Sequence, residues 1–132
     1  MAPHFYSVVW IDHRDARICH FNATADENLL LQSKQTGLHA QHRAHVAGSG
    51  HQGVDTEFFA RVAHELTHSG ALIITGPGTA KSELKNYLNA HYPVIEQRIA
   101  AVTPMDHPKD AEILKQARDH FKTQDPMYAK RP

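Results

Sequence analysis

The chain has 132 residues, 41% hydrophobic and 21% charged, with 14 Lys and Arg against 14 Asp and Glu. That composition is of an ordinary globular protein and excludes a strongly basic or acidic chain drawn to polyanions or polycations by net charge alone. No apolar run approaches the ~20 residues that cross a bilayer. Cys19 is the single cysteine, which forbids an internal disulfide. The opening MAPHFYSVVWID carries no basic segment ahead of an apolar core and no small-residue cleavage site. These features give one domain over residues 1–132, in the cytoplasm, without a membrane partner and without a cofactor.

Three strand-like runs come first. FYSVVWI (5–11) is β-branched and aromatic, ARICHFN (16–22) follows a polar DHRD turn, and NLLLQSKQ (28–35) is the third. Short connections between them imply an antiparallel meander. The segment GLHAQHRAHVAGSGHQG (37–53) has no hydrophobic periodicity and ends in glycines, which makes 36–53 a long loop. Beyond it the rhythm alternates. Residues 55–68 place Phe58, Phe59, Val62, Ala63 and Leu66 on one helical face, with Asp55 as N-cap. ALIIT (71–75) reads as a buried strand. Thr79 can cap the next helix, with Ala80, Leu84, Tyr87 and Leu88 as its stripe and Pro93 beyond its end. IEQRIAAV (95–102) reads as a strand, 109–122 as the last helix, and 123–132 as a frayed tail. The order βββαβαβα is that of an α/β, RNase H-like fold with a mixed sheet.

Two motifs invite catalytic readings. HELTH (64–68) matches the zinc-protease pattern H-E-x-x-H, in which two histidines one helical turn apart hold a metal and the glutamate activates water. The extended form would need Gly at 71 and His at 74, where the chain has Ala71 and Ile74. Helical geometry turns His64 and His68 away from the apolar stripe, so HELTH is expected to be an exposed helix end. TGPGTAKS, between strand and helix, sits where a nucleotide phosphate loop would. Alignment on Lys81-Ser82 puts Ala80 and Thr75 where that loop needs glycines. A two-metal nuclease would draw on Asp12, Glu57 or Glu65, and Asp106 or Asp110, but Thr75 ends the strand that should supply an acid. A metal-dependent hydrolase built on HELTH and a divergent nuclease therefore remain the alternatives to a binding protein. No catalytic and no metal-binding residue is assigned.

Between Glu27 and Asp55 the chain has no acidic residue, while Lys34, His39, His42, Arg43, His45 and His51 all fall there. With an unperturbed pKa near ~6.5, exposed histidines would make this segment more cationic as the pH falls. A flexible, polar, acid-free loop containing Gln52 suits contact with RNA, and Lys81 and Lys85, one helical turn apart, could meet phosphates.

The runs YSVVWIDHRDARICHF and GALIITGPGTAKSELKNYL, the loop before a helix and the D-H-P at 106–108 together resemble a known domain. It is the central domain of the eukaryotic and archaeal class-1 release factor and of its rescue paralogue Pelota. They resemble more closely still its small bacterial relatives, the translational machinery proteins. The resemblance covers most of 5–122 and implies an RNase H-like fold and a place in translation, with the ribosome or ribosomal or transfer RNA as partner and no DNA. In release factors the loop after the third strand carries Gly-Gly-Gln. Here the segment reads Gly48-Ser49-Gly50-His51-Gln52-Gly53, so the triplet is missing and peptidyl-tRNA hydrolysis is not implied. The resemblance and the residues together give RNA or ribosome contacts at Lys34, His39, His42, Arg43, His45, His51, Gln52, Lys81 and Lys85.

Overall fold

The computed structural model describes residues 4–34 and 55–132. Its strands are β1 (Tyr6–Ile11), β2 (Asp15–Phe21), β3 (Asp26–Gln32), β4 (Ala71–Gly76) and β5 (Ile99–Pro104). Its helices are α1 (Thr56–Glu65), α2 (Ala80–His91), the single turn α3 (Pro93–Glu96) and α4 (Asp110–Gln124), followed by a 3-10 turn at Tyr128–Lys130. The sheet runs β3-β2-β1-β4-β5. β1 pairs antiparallel with β2 and parallel with β4, β2 antiparallel with β3, and β4 parallel with β5. The expected RNase H-like order is therefore present, with α3 inserted before the last strand.

β1 is buried at every position, which is why its sequence is a continuous apolar run rather than an alternating one. Its residues still divide by parity. Val9 and Ile11 join Ile18, Leu72 and Ile74 beneath α1 and α2, where Phe58, Phe59, Val62, Leu66, Leu84 and Leu88 are buried. Tyr6, Val8 and Trp10 join Phe21 and Ile73 beneath α4, against Ile113, Ala117 and Phe121. Both crossover helices lie on one face and the last helix on the other.

Asp55 caps α1 as the sequence suggests, its carboxylate accepting from Phe58 N at 3.0 Å. Other boundaries shift. β3 spans 26–32 instead of 28–35, because its register is set by β2, with Asp26 opposite Phe21 and Gln32 opposite Asp15. The expected strand at 95–102 starts late: Pro93 opens the turn α3, Ile95 packs into the core from it, and β5 begins only at Ile99. Proline's fixed φ favours the first helical position, which explains the extra turn.

The tail over 123–132 is not frayed. α4 continues to Gln124, and Tyr128 is buried against the Tyr6–Phe121 cluster. Tyr6 donates its hydroxyl to Asp125, whose carboxylate also accepts from Arg131 Nε at 3.0 Å. Arg131 lies 4.3 Å over the Phe5 ring, and Phe5 N donates to the Pro132 carbonyl at 2.9 Å. These contacts were illegible because the aromatic residues they join are more than a hundred positions away in sequence.

On the α1 face, a polar chain interrupts the apolar core. Ser7 Oγ lies 2.6 Å from His20 Nδ1 and 2.5 Å from Ser69 Oγ, with both serines buried. Burial pushes the His20 imidazole below its ordinary range, outweighing the carboxylates of Glu65 and Glu27, while the charge of His4 acts in the same direction as burial. The unfolded chain thus takes up the proton at higher pH than the folded one. Stability contributed here is complete above pH ~6.5 and decreases as the pH falls toward the folded value. In denaturant melts at pH 7.5 and 5.5, the intact protein is expected to lose more stability between the two than His20→Asn, which keeps a hydrogen-bonding group near the Nδ1 position but does not titrate. Equal losses would remove His20 as the source.

Candidate functional site

Strands β1, β3, β4 and β5 share one direction, so Ile11, Gln32, Gly76 and Pro104 all end at the same edge of the sheet. The Asp12–Arg14 turn, the Pro77–Thr79 turn and the Met105–Lys109 connection emerge there, and α1, α2 and α4 all start there. In open α/β sheets this carboxyl edge is where binding groups collect. The two described ends of segment 35–54, Lys34 and Asp55, lie on this rim. They are held together: Ser33 Oγ donates to Asp55 at 2.5 Å, both residues being buried. Asp55 thus caps a helix with one oxygen and joins the end of β3 with the other.

Lys34, Lys81 and Lys85 are the candidate contacts within the described residues, and each already has a local partner. Lys34 Nζ is 3.7 Å from Glu57 in an exposed pair, an arrangement that contributes little and is easily exchanged. Lys81 folds back to donate to the Gly78 carbonyl. Lys85 Nζ is 3.1 Å from Glu96, which turns it toward α3. His39, His42, Arg43, His45, His51 and Gln52 lie outside the described residues.

The Gly76–Thr79 turn is built for packing against β1. Gly76 has φ +147°, and a Cβ there would stand 2.1 Å from the Ile11 carbonyl oxygen. At the start of α2, Thr79 does not cap with its hydroxyl but donates to Glu83 at 3.2 Å, and Glu83 also meets His13 Nε2 at 2.7 Å. A carboxylate in the first turn already answers the positive end of the helix dipole.

HELTH straddles a helix end. α1 stops at Glu65, Leu66 is its C-cap, and His64 and His68 are exposed without sharing one helical face. Thr67 Oγ1 donates to the His64 carbonyl at 2.9 Å. Among the described residues, no three His, Cys, Asp or Glu side chains converge. Of the carboxylates considered for nuclease chemistry, Asp12 and Asp110 are separately engaged. Asp12 accepts from Arg14 N and Asp15 N at 2.8 and 2.7 Å, Asp110 meets Arg17 at 3.1 Å, and Thr75 is bonded to Thr103 at 3.1 Å. Cys19 is buried, and burial pushes its thiol up to about 11, so it holds no thiolate at neutral pH.

Sequence reasoning missed the clamp that supports the rim. Trp10 Nε1 donates to the Asp106 carbonyl at 2.7 Å, Arg17 covers the ring at 4.5 Å, and His107 lies 5.2 Å from it. Arg17 also donates to the Pro108 carbonyl at 2.7 Å. The D-H-P at 106–108 is thereby pinned to β1 and β2. A lone tryptophan on the central strand was the available signal, since a buried indole N–H needs an acceptor.

The site is thus the carboxyl rim of an RNase H-like α/β domain, bearing lysines and the two ends of an acid-free segment. No protein-family model matches the chain, and no curated protein is similar to it in sequence. Solved structures are similar in fold. Archaeoglobus fulgidus Pelota matches at TM-score 0.62 and 17% identity, over 91% of this chain and 32% of that one. Thermoplasma acidophilum Pelota matches at 0.60 and 16%, over 95% and 34%. The archaeal translation termination factor aRF1 matches at 0.59 and 19%, over 95% and 36%. The chain spans about a third of the length of each. At these identities the likeness establishes the fold.

If Asp55 joins helix and loop end as described, Asp55→Ala should destabilise by about 1–3 kcal/mol, combining the lost cap with the lost Ser33–Asp55 hydrogen bond. Asp55→Asn, which can still accept from Phe58 N, should recover part of that loss in chemical melts. Indifference to both substitutions would show that the cap and the joint contribute nothing.

Proposed function

We propose that the protein acts in translation by binding the ribosome, or ribosomal or transfer RNA, through segment 36–53, in the cytoplasm and without hydrolysing peptidyl-tRNA. One observation carries the reading: over nine-tenths of the chain shares its fold with Pelota and a translation termination factor, and the segment whose counterpart carries Gly-Gly-Gln in release factors leaves from the carboxyl rim. Lys34, His39, His42, Arg43, His45, His51 and Gln52 are its contacts, with Lys81 and Lys85 as outlying phosphate partners. Binding of this kind is electrostatic and partly carried by histidine. It therefore weakens with added salt and strengthens as the pH drops from about 7.5 to 6. The absence of Gly-Gly-Gln separates it from hydrolysis, and no described cluster favours the hydrolase or nuclease readings.

The test is co-sedimentation with purified ribosomes at low and moderate salt, comparing the intact chain with one lacking 38–52. Ser33 and Asp55 remain in that deletion, so the joint between β3 and α1 is kept. Pelleting that depends on 38–52, falls with salt and rises toward pH 6 is the expected result. Equal pelleting of both forms would move the contact to Lys81 and Lys85, and no pelleting under any condition would overturn a ribosomal role.

A further inference from the structure

A slot of about 100 Å³ opens between α4 and strands β1, β4 and β5. Val8, Ile73, Ala101, Ile113 and Ala117 form its apolar walls, and Thr103, Gln116 and His120 line it with polar groups. Gln116 also borders an adjoining open groove toward the rim, past Met105, Pro108 and Glu112. The small side chains of Ala101 and Thr103 leave the space, since a larger residue at either position would fill it.

The slot adjoins a sheet edge. Among the described residues β5 is the last strand of the sheet order, and its backbone orientation follows from one bond. Met105 N donates to the Gly76 carbonyl at 3.1 Å, so Met105 and Thr103 turn their backbone groups to β4. By alternation Val102 turns its N–H and C=O outward, and Pro104 offers only a carbonyl. Ala100 is the extra residue at the register shift opposite Leu72 and Ile73. The bulge and the proline restrict the free edge to a short stretch centred on Val102.

We propose that this edge and slot form a docking site for a short extended segment of a partner protein. The segment adds a strand at Val102 and seats one branched aliphatic side chain between β5 and α4. The slot is smaller than the ~150 Å³ cavity that holds benzene, which favours a branched aliphatic side chain over a full aromatic ring. Charge selects a peptide over RNA. In the adjoining groove Lys115 is paired with Asp119 at 2.9 Å, and Glu112, exposed, uses one oxygen to accept from Lys109 N. The remaining negative charge repels phosphate and attracts a Lys or Arg beside the aliphatic anchor. Strand addition with alternate side-chain pockets is a recurrent mode of peptide capture. This site is on the α4 face and is independent of segment 36–53.

The experiment screens a phage-displayed library of random linear peptides against the full chain. Enriched peptides are expected to share a branched aliphatic residue near a Lys or Arg. They should lose on the order of tenfold in affinity for Ala101→Leu, which fills the slot, and slow hydrogen exchange at the Val102 amide of the unaltered protein. Glu112→Gln, which removes the charge but can still accept from Lys109 N, should weaken the same peptides with little change in the melting midpoint, which covers the case in which Ala101→Leu folds poorly. The proposal is overturned by an unenriched library, by peptides indifferent to both substitutions, by unchanged exchange at Val102, or by a single-stranded RNA whose binding Ala101→Leu abolishes.

Discussion

The double burial of β1 is the constraint on which the other elements depend. Its six residues are almost wholly inaccessible, so the strand needs a hydrophobic layer on each face and a hydrogen-bonded neighbour on each side. β2 and β4 supply the neighbours, α1 and α2 one layer, and α4 with the Tyr128 turn the other. Burying each large side chain contributes ~1.5–3 kcal/mol, and Tyr6, Trp10 and Ile11 bring theirs to the same short strand. The polar exception, Ser7, is tolerated because Ser69 and His20 satisfy its hydroxyl.

From that arrangement the rim follows without further design. With β3, β4 and β5 all parallel to β1, every crossover returns the chain to the same edge, and three helices begin there. Their first turns carry Glu57, Glu83, and Asp110 with Glu112. These carboxylates answer the helix dipoles and also engage nearby cations: Glu57 meets Lys34, Glu83 meets His13, and Asp110 meets Arg17. Part of the described rim is therefore internally paired. The stretch between Glu27 and Asp55 is different, because the chain places no acid within it.

Much of this was legible in the sequence, for identifiable reasons. β1, α1 and β4 announce themselves because their burial is strong enough to impose a continuous or periodic apolar pattern, and Asp55 because a cap acts locally. β5 was misplaced because its exposed edge allows small residues, Ala100 and Ala101, that carry little pattern, while Pro93 starts a helical turn that periodicity absorbed into the strand. The tail was misread for a different reason. Tyr128, Asp125 and Arg131 acquire their meaning only from Phe5 and Tyr6, and no local rule connects the two ends of a chain. The same limit hid the clamp of Trp10, Arg17 and His107. The sequence names Lys34, Lys81 and Lys85 only as candidate RNA contacts; the ion pairs of Lys34 and Lys85 depend on Glu57 and Glu96, whose positions are tertiary facts.

The placement of the chain's described ends bears on how such a unit can be used. Phe5 pairs with Pro132 at the start of β1, whereas Lys34 and Asp55 stand at the opposite edge, beyond its end. α4 spans the distance, about 22 Å for its 15 residues at 1.5 Å each. Lys34 and Asp55, which flank segment 35–54, thus stand at one pole, and the paired ends occupy the other. Between them the sheet is filled, and the three candidate lysines among the described residues have local partners. The fold holds the two flanks of that segment together at Ser33 and Asp55, a joint made by the same carboxylate that caps α1.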